Sequence, residues 1–399
     1  MGIVLTFCMT FTLAVSAPIE AQAAEGFVQE YSDMIGQGGY IYYIRTPEVG
    51  TSADIYRMKV GSGQTSKVIT AKNGIVDMVV SGQNLYYTTS NDAFEWEVWT
   101  CALNGSDAQK LCDGRIFYAD KDYAYCMKYV NGANARLYCK NLSTGANTSI
   151  KTAKPGQTLG YAGNIGNDSY YYIYDGKTDK LLLYRLHAAT KRLIRVATEK
   201  RVAKDSTGAM LVSDVRQISG ELYYNFGSYE GTGNFWYGTV KKLTTDGEKK
   251  TVAKNVSNDE IIVGSRELYF DTPTGNTYKY SLKTGKKTKY SLKFEKDISY
   301  TVLGDKTYMA DTSNEKQVVI SRFNSGTEWE TLTKNFITLP FRQQTSVSYA
   351  VKMKEIGIYN MIYIVGTDYS DMSYGWRGRL VSVDWFATDG AGTVLGSFQ

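Results

Sequence analysis

Residues 85–112 read LYYTTSNDAFEWEVWTCALNGSDAQKLC. They begin with an aromatic strand over 85–90 and end with a hairpin whose turn, NGSD, lies at 104–107. Alternating tyrosine, threonine and aliphatic residues are typical of β-strands, and Asn-Gly indicates a tight turn. Between these two parts lies a loop of acidic and aromatic residues that leads to Trp96. This unit of strand, loop and hairpin recurs along the chain.

The hairpin occurs eight times, mostly with a Ser, Thr or Asp before the glycine of the turn and a Lys/Thr-rich second strand. The copies lie at 59–69, 102–112, 141–150, 185–194, 242–252, 281–292, 322–332 and 385–395. An aromatic strand precedes each copy, at 40–44, 85–90, 123–129, 170–176, 222–227, 268–273, 307–313 and 361–367. A third, weaker strand comes before the aromatic one in several units, as at 74–82.

The spacing of these copies predicts the architecture. Between Gly63 in the first turn and Gly390 in the last, the mean period is about 47 residues. Four short strands in a unit of this length are typical of one blade of a β-propeller. We therefore expect an all-β chain in which residues 24–399 form a single β-propeller domain of four-stranded blades. Eight units favour eight blades, and seven remain an alternative if the irregular unit at 157–204 or 336–399 serves elsewhere.

The composition agrees with this architecture and excludes several functions. The chain has 33 tyrosines and one histidine. A blade buries both faces against its neighbours, so we expect most tyrosines to pack between blades with their hydroxyls near the rim. The single histidine, His187, argues against a His base or a multi-His metal site, and no cofactor is expected. The net charge of +5 is too small to indicate a nucleic-acid-binding surface. The densest basic run, at 283–296, is interpreted as a solvated hairpin.

The repeat also resembles a known family. The strand Leu85-Tyr86-Tyr87-Thr88 and its relatives are followed by segments such as 183–185 (LYR) and then by an Asp-Gly or Thr-Gly turn. This pattern is similar to the YWTD propellers of low-density-lipoprotein receptors and, more closely, to related secreted bacterial propellers of unassigned function. The resemblance covers residues 27–399, although no full Tyr-Trp-Thr-Asp is present. It implies a propeller fold and suggests protein binding, since the receptor propellers bind proteins.

The N-terminal segment predicts export. Residues 3–19 are mostly apolar, and Ala21-Gln22-Ala23 forms a small-x-small cleavage pattern. We expect residues 1–23 to be a signal peptide and the remaining chain to be secreted or extracellular, with association with the cell wall as an alternative. The apolar run is short for a membrane span, so no membrane span is expected.

Four cysteines remain after this segment, and each pair flanks a hairpin turn. Cys101 and Cys112 lie on either side of the first turn, and Cys126 and Cys139 on either side of the second. Opposite positions in an antiparallel hairpin bring Cα atoms near the distance that a disulfide needs. We predict the disulfides Cys101–Cys112 and Cys126–Cys139, with other connectivities and a zinc site as alternatives.

The candidate binding residues lie in three long loops between the second and third strands of units 2, 5 and 8. Rings, acids and small residues suit stacking on sugars or gripping peptides. The predicted ligand-binding residues are Trp96, Tyr229, Glu230, Trp236, Asp371, Tyr374, Trp376 and Arg377. An equally weighted alternative is that these rings only begin the third strands and pack between blades.

Two functions follow from this pattern. The first is a non-catalytic, monomeric binding propeller that recognises a protein, a peptide or a cell-wall glycan through these aromatic rim loops. The second is a secreted carbohydrate-active enzyme, a glycosidase or lyase, that uses paired carboxylates, with Glu95, Glu230 and Asp371 as first candidates. No recognisable catalytic set occurs in the chain, and this favours the binding function. A purely structural role in the cell envelope is a third reading.

Overall fold

The structure is a computed structural model. It describes residues 27–29, 34–45, 52–59, 64–91, 95–130, 134–165, 168–187, 190–201, 208–230, 235–258, 261–263, 266–290, 298–303, 306–311, 319–325, 328–333, 347–356, 359–368, 379–388 and 394–398. The expected signal peptide lies outside these residues. Within them the chain contains β-strands and turns and no helix, and no segment qualifies as a membrane-spanning helix.

The first half of the chain forms four sheets. Strand β1 (Phe27–Gln29) precedes sheet 1, which contains β2 (Met34–Gln37), β3 (Tyr40–Arg45), β4 (Ala53–Lys59) and β5 (Thr65–Ala71). Sheet 2 contains β6 (Asp77–Ser81), β7 (Asn84–Ser90), β8 (Trp96–Ala102) and β9 (Gln109–Asp113), and β1 pairs with β6 at its edge. Sheet 3 contains β10 (Arg115–Ala119), β11 (Tyr123–Val130), β12 (Asn134–Asn141) and β13 (Asn147–Thr152). Sheet 4 contains β14 (Gln157–Ile165), β15 (Asp168–Asp175), β16 (Lys180–His187) and β17 (Arg192–Lys200).

Four further sheets follow. Sheet 5 contains β18 (Leu211–Ile218), β19 (Glu221–Glu230), β20 (Phe235–Leu243) and β21 (Lys249–Val256). Sheet 6 contains β22 (Ile262–Val263), β23 (Glu267–Asp271), β24 (Thr277–Ser281) and β25 (Lys287–Tyr290). Sheet 7 contains β26 (Ile298–Leu303), β27 (Lys306–Asp311), β28 (Val319–Ser325) and β29 (Glu328–Thr333). Sheet 8 contains β30 (Val347–Ile356), β31 (Tyr359–Asp368), β32 (Arg379–Thr388) and β33 (Val394–Phe398).

The order of strands and sheets is that of a β-propeller. Each sheet is an antiparallel meander in chain order. Each sheet also contacts the next one along the chain, and β3 of sheet 1 contacts β32 of sheet 8. Sequential four-stranded meanders that pack face to face in this way are propeller blades, so the predicted fold class is confirmed. The predicted number of blades in a closed ring stays a prediction.

Tyrosine rings fill the spaces between sheets. Tyr42 and Tyr87 lie in the core between sheets 1 and 2, and Tyr125 and Tyr171 lie in the core between sheets 3 and 4. Tyr223 packs between sheets 5 and 6. All five are less than a tenth exposed, and burying a large side chain of this kind contributes roughly 1.5–3 kcal/mol. These tyrosines of the repeat therefore pack between neighbouring sheets, as the composition predicts.

The predicted pairing of the cysteines is wrong. All four thiols are free. In sheet 2, Cys112 lies opposite Val98 rather than Cys101, because Thr100 pairs with Gln109 and the turn is centred near Gly105. Cys101 and Cys112 are thus several positions out of register.

The second predicted pair fails by a single residue. Cys139 lies opposite Tyr125, and Cys126 lies opposite Tyr138. Successive side chains on a strand point to opposite faces of a sheet, so this offset places the two thiols on opposite faces of sheet 3.

Candidate functional site

One end of the sheets carries the predicted loops. In an antiparallel meander, the connection between the second and third strands lies at the same end as the link to the next sheet. We call this end the upper face. At this end β7 ends and β8 begins, and β19 ends and β20 begins. Trp96 begins β8 at this end, as the sequence predicts.

Two exposed tyrosines lie at the upper face, one of them missed from the sequence. Tyr229 and Tyr129 are each the last residue but one of a second strand, β19 in sheet 5 and β11 in sheet 3. The side chain of Tyr229 is 40% exposed and that of Tyr129 is 56% exposed. Large apolar side chains with this exposure at corresponding strand ends form a surface that a ligand can contact.

A third tyrosine joins the two exposed ones. Tyr172 of sheet 4 is partly buried, and its burial, together with the nearby phenols of Tyr129 and Tyr229, raises its pKa to about 12. Its ring end lies over Gly160 of the neighbouring strand, where a β-carbon would overlap the ring. The three tyrosines lie on the second strands of three consecutive sheets, 3, 4 and 5, and the influence of two phenols on the pKa of the third indicates that they are near one another. We call this group the tyrosine arc, defined by Tyr129, Tyr172 and Tyr229.

Trp236 supports this arc from within. Its side chain is only 2% exposed, and its indole nitrogen donates a hydrogen bond of 3.4 Å to the Asn225 side-chain oxygen. The ring of Tyr229 packs on it with 5.0 Å between centroids. Trp236 thus lies inside sheet 5, and it fixes the position of the exposed Tyr229 instead of presenting its own ring to solvent.

Trp96 belongs to a charged and aromatic cluster between sheets 2 and 3. The Arg115 guanidinium donates two hydrogen bonds to the buried Asp77 carboxylate, 2.8 Å from Nε to Oδ2 and 2.7 Å from Nη2 to Oδ1. The same guanidinium lies 5.8 Å from the Trp96 ring centroid and 5.7 Å from that of Phe117. Two planar contacts and a bidentate ion pair hold Arg115 rigidly at the upper end of β10.

The β7–β8 loop closes on itself around Glu95. The Glu95 backbone nitrogen donates to the Asn91 side-chain oxygen at 2.9 Å, and the Asn91 side-chain nitrogen donates to the Glu95 carboxylate at 3.2 Å. The carboxylate is therefore engaged in its own loop. This arrangement holds the loop beside Trp96 and offers no second acid for a hydrolytic pair among the described residues of the loop.

Of the remaining predicted residues, the structure describes the backbone of Glu230. Glu230 ends β19, where its backbone pairs with Phe235. Asp371, Tyr374, Trp376 and Arg377 belong to the β31–β32 connection, which lies outside the described residues.

Metal chemistry finds no support in the described part of the chain. No group of three or more His, Cys, Asp or Glu side chains there is arranged to hold a metal ion. The imidazole of His187 contacts the Thr190 hydroxyl at 2.9 Å within its own hairpin turn. That contact is a turn interaction, as the sequence indicates.

Comparisons with known proteins support the fold and no more. No family model matches the chain, and neither does any curated protein. Similar solved structures include oligopeptidase B from Trypanosoma brucei, at 11% identity and a TM-score of 0.52, with 86% of this chain and 54% of that chain covered. A structure from a study of two prolyl endopeptidases matches at 14% identity and a TM-score of 0.51, with 85% and 54% covered.

A third match is the β-propeller domain of the trilobed protease from Pyrococcus furiosus. It has 10% identity and a TM-score of 0.41, with 90% of this chain and 93% of that chain covered. The chain spans about half the length of the two peptidase chains. The two peptidase structures share the fold of this chain. At sequence identities this low, their activities cannot be assigned to it. The resemblance to the YWTD propellers stays a prediction.

Proposed function

We propose that this chain is a non-catalytic β-propeller that binds a peptide segment, free or within a protein, through the tyrosine arc on its upper face. The observation that carries the proposal is the exposure of Tyr129 and Tyr229 at corresponding strand ends of sheets 3 and 5, with the partly buried Tyr172 of sheet 4 near both. Tyrosine is enriched where binding energy is concentrated, because a large ring with one polar tip loses little conformational entropy on binding.

The surroundings of the arc suit this role. Trp236 and Gly160 position two of its rings from below, so the surface is organised before a ligand arrives. Preorganised contact residues reduce the entropic cost of association. The Arg115 guanidinium, held by Asp77 and 5.8 Å from the Trp96 ring centroid, lies at the same end of sheet 3 as Tyr129.

A panned peptide library tests the proposal. We expect peptides enriched on the wild type, after counter-selection on a Tyr129→Ser/Tyr229→Ser variant, to bind the wild type at least about tenfold more tightly than the variant. Such a loss corresponds to about 1.4 kcal/mol, the size expected when one interface hot spot is removed. Isothermal titration of the enriched peptides measures it.

The matched control is Ile194→Ser. Ile194 is 43% exposed and lies near the start of β17, at the opposite end of the sheets. The substitution removes exposed apolar surface away from the tyrosine arc, so the affinity of the variant for the enriched peptides should equal that of the wild type. Peptides that bind all three proteins equally, or a library that yields none, would refute the proposed site. Binding of a cell-wall oligosaccharide instead, lost in the tyrosine variant, would keep the site and replace the ligand class.

The same proposal includes the cellular setting. We propose that residues 1–23 are removed on export and that the remaining chain works as a monomer at the cell envelope. Apolar residues 3–19 and the small residues at 21–23 support the export. N-terminal sequencing of the protein from culture medium should begin at Ala24, and light scattering should give the mass of one chain.

A further inference from the structure

Two thiols from neighbouring sheets lie in contact. Cys112 is on β9 of sheet 2, and Cys126 is on β11 of sheet 3. Their sulfur atoms are 3.5 Å apart. Among the described residues this is the one pair of thiols within hydrogen-bonding distance, and it differs from both pairs that the hairpin spacing predicts.

The two thiols have different environments. Cys126 is fully buried, whereas Cys112 is partly exposed. The two sulfurs share a hydrogen bond in which either thiol can donate. A hydrogen bond from Cys126 lowers the pKa of Cys112, while burial raises the pKa of Cys126 well above its usual value. The reachable thiol is therefore also the one more readily converted to a thiolate, the form that attacks disulfides.

The surroundings hold the pair in place. Tyr138 lies beside both sulfurs, and its hydroxyl donates a hydrogen bond to the backbone carbonyl of Asp113. Lys128 of sheet 3 also contacts the Asp113 carboxylate of sheet 2 at 2.7 Å. Two contacts from sheet 3 to Asp113, the residue that follows Cys112, therefore hold the sheets together beside the sulfurs. Bond formation needs only an approach of about 1.5 Å, since a disulfide bond is about 2.05 Å long.

We propose that Cys112 and Cys126 form an intersheet disulfide when the folded protein meets a low-molecular-weight disulfide. The Cys112 thiolate attacks one sulfur of the small disulfide, forms a mixed disulfide and releases one small thiolate. The Cys126 thiol then loses its proton and attacks the Cys112 sulfur, which releases the second small thiolate. Two protein thiols are oxidised, the small disulfide is reduced to two thiols, and the electrons balance.

The bond would fasten sheet 2 to sheet 3 beside their covalent link at Gly114. The link between these sheets is a single residue long, and the Asp77–Arg115 ion pair crosses the same boundary. A disulfide there adds a constraint on the unfolded chain without moving either sheet far. The disulfide would therefore stabilise the boundary between sheets 2 and 3, and it does not involve the tyrosine arc.

Peptide mapping tests the assignment. The folded full-length protein is incubated with excess oxidised glutathione, its remaining thiols are alkylated, and the digest is analysed by mass spectrometry without reduction. We expect one cross-linked peptide pair that contains Cys112 and Cys126, with Cys101 and Cys139 alkylated. Reduction before digestion should remove it.

The variants sharpen the result. In Cys112→Ser the cross-link should disappear and Cys126 should remain a thiol, whereas Cys101→Ala should leave the cross-link in place. A Cys101–Cys112 or Cys126–Cys139 cross-link in the wild type would overturn the assignment. A glutathione adduct that stays on Cys112, or alkylation of both Cys112 and Cys126, would overturn it as well. The wild-type map alone decides between these results if a variant fails to fold.

Discussion

Neighbouring aromatic residues at the upper face differ in their exposure to solvent. Trp236 and Tyr229 are neighbours in space, yet one ring is buried and the other is exposed. The sequence places both in one aromatic loop and cannot tell them apart, because the direction of a side chain depends on strand register. Tyr129 escaped prediction for the same reason, since its segment has the composition of a packing strand.

Arg115 is predicted to stabilise the boundary between sheets 2 and 3. Asp77 is fully buried, and the Arg115 guanidinium binds its carboxylate with two hydrogen bonds. Replacing Arg115 with Met removes this partner. Loss of one member of a buried pair is strongly destabilising, and we expect the free energy of unfolding to fall by about 3 kcal/mol. Urea denaturation measures this change.

An exposed ion pair provides the matched control. Lys121 and Asp122 are 3.8 Å apart, and their side chains are 90% and 57% exposed. Lys121→Met should change the free energy of unfolding by no more than about 0.5 kcal/mol, because exposed pairs contribute little. Equal effects of the two substitutions would show that the Arg115 pair has no special role.

The positions of the strands agree closely with those predicted from the sequence, and the cross-strand pairs next to the turns agree less well. Aromatic strands such as β7 and β15 lie where the repeat predicts them. The cysteine pairs were misassigned because a shift of one or two positions in the turn centre changes every cross-strand pair. The bulge between Val98 and Trp99 adds a further shift that no composition pattern indicates.

The contact between β9 and β11 predicts a dependence of stability on pH. Hydrogen bonds from Lys110 and Lys128 lower the pKa of the Asp113 carboxyl. A carboxyl with a lowered pKa in the folded state contributes stability above its unfolded pKa, and this contribution is lost as the pH falls through the folded value. We expect the urea midpoint of Asp113→Asn to lie below that of the wild type at pH 7 and to approach it below about pH 4.

The control for this prediction is Asp122→Asn, which removes an exposed carboxylate from the turn before β11. Its midpoint should stay close to that of the wild type across the same range. A difference for Asp113→Asn that is constant from neutral to acid pH would contradict the prediction, because its cause could not then be the charge of the carboxylate.

For the whole molecule, the repeat predicts the propeller architecture, and the number of blades in a closed ring stays a prediction. Periodicity indicates blades because each unit can bury its faces only against a neighbour. It does not indicate which sheets meet at the ends of the chain, a relation set by the contact of β3 with β32. The proposed binding surface is harder still to predict, since it combines side chains from three sheets.

Closure of the ring through eight sheets can be tested by cross-linking. A lysine-reactive linker should join lysines of sheet 1 to lysines of sheet 8, because β3 contacts β32. The expected partners are Lys59, Lys67 and Lys72 on one side and Lys352 and Lys354 on the other. Mass spectrometry of the digest identifies them. Links from sheet 1 to Lys306 of sheet 7 instead would indicate closure through seven sheets.

The most direct test of the central claim is hydrogen–deuterium exchange of the protein with and without a peptide enriched by panning. We predict slower exchange on peptide binding at the upper ends of β11, β15 and β19, around residues 127–130, 170–174 and 227–230. The lower end of β17, around Ile194, should exchange at an unchanged rate. Protection confined to the lower ends of the sheets, or no protection at the tyrosine arc, would contradict the account.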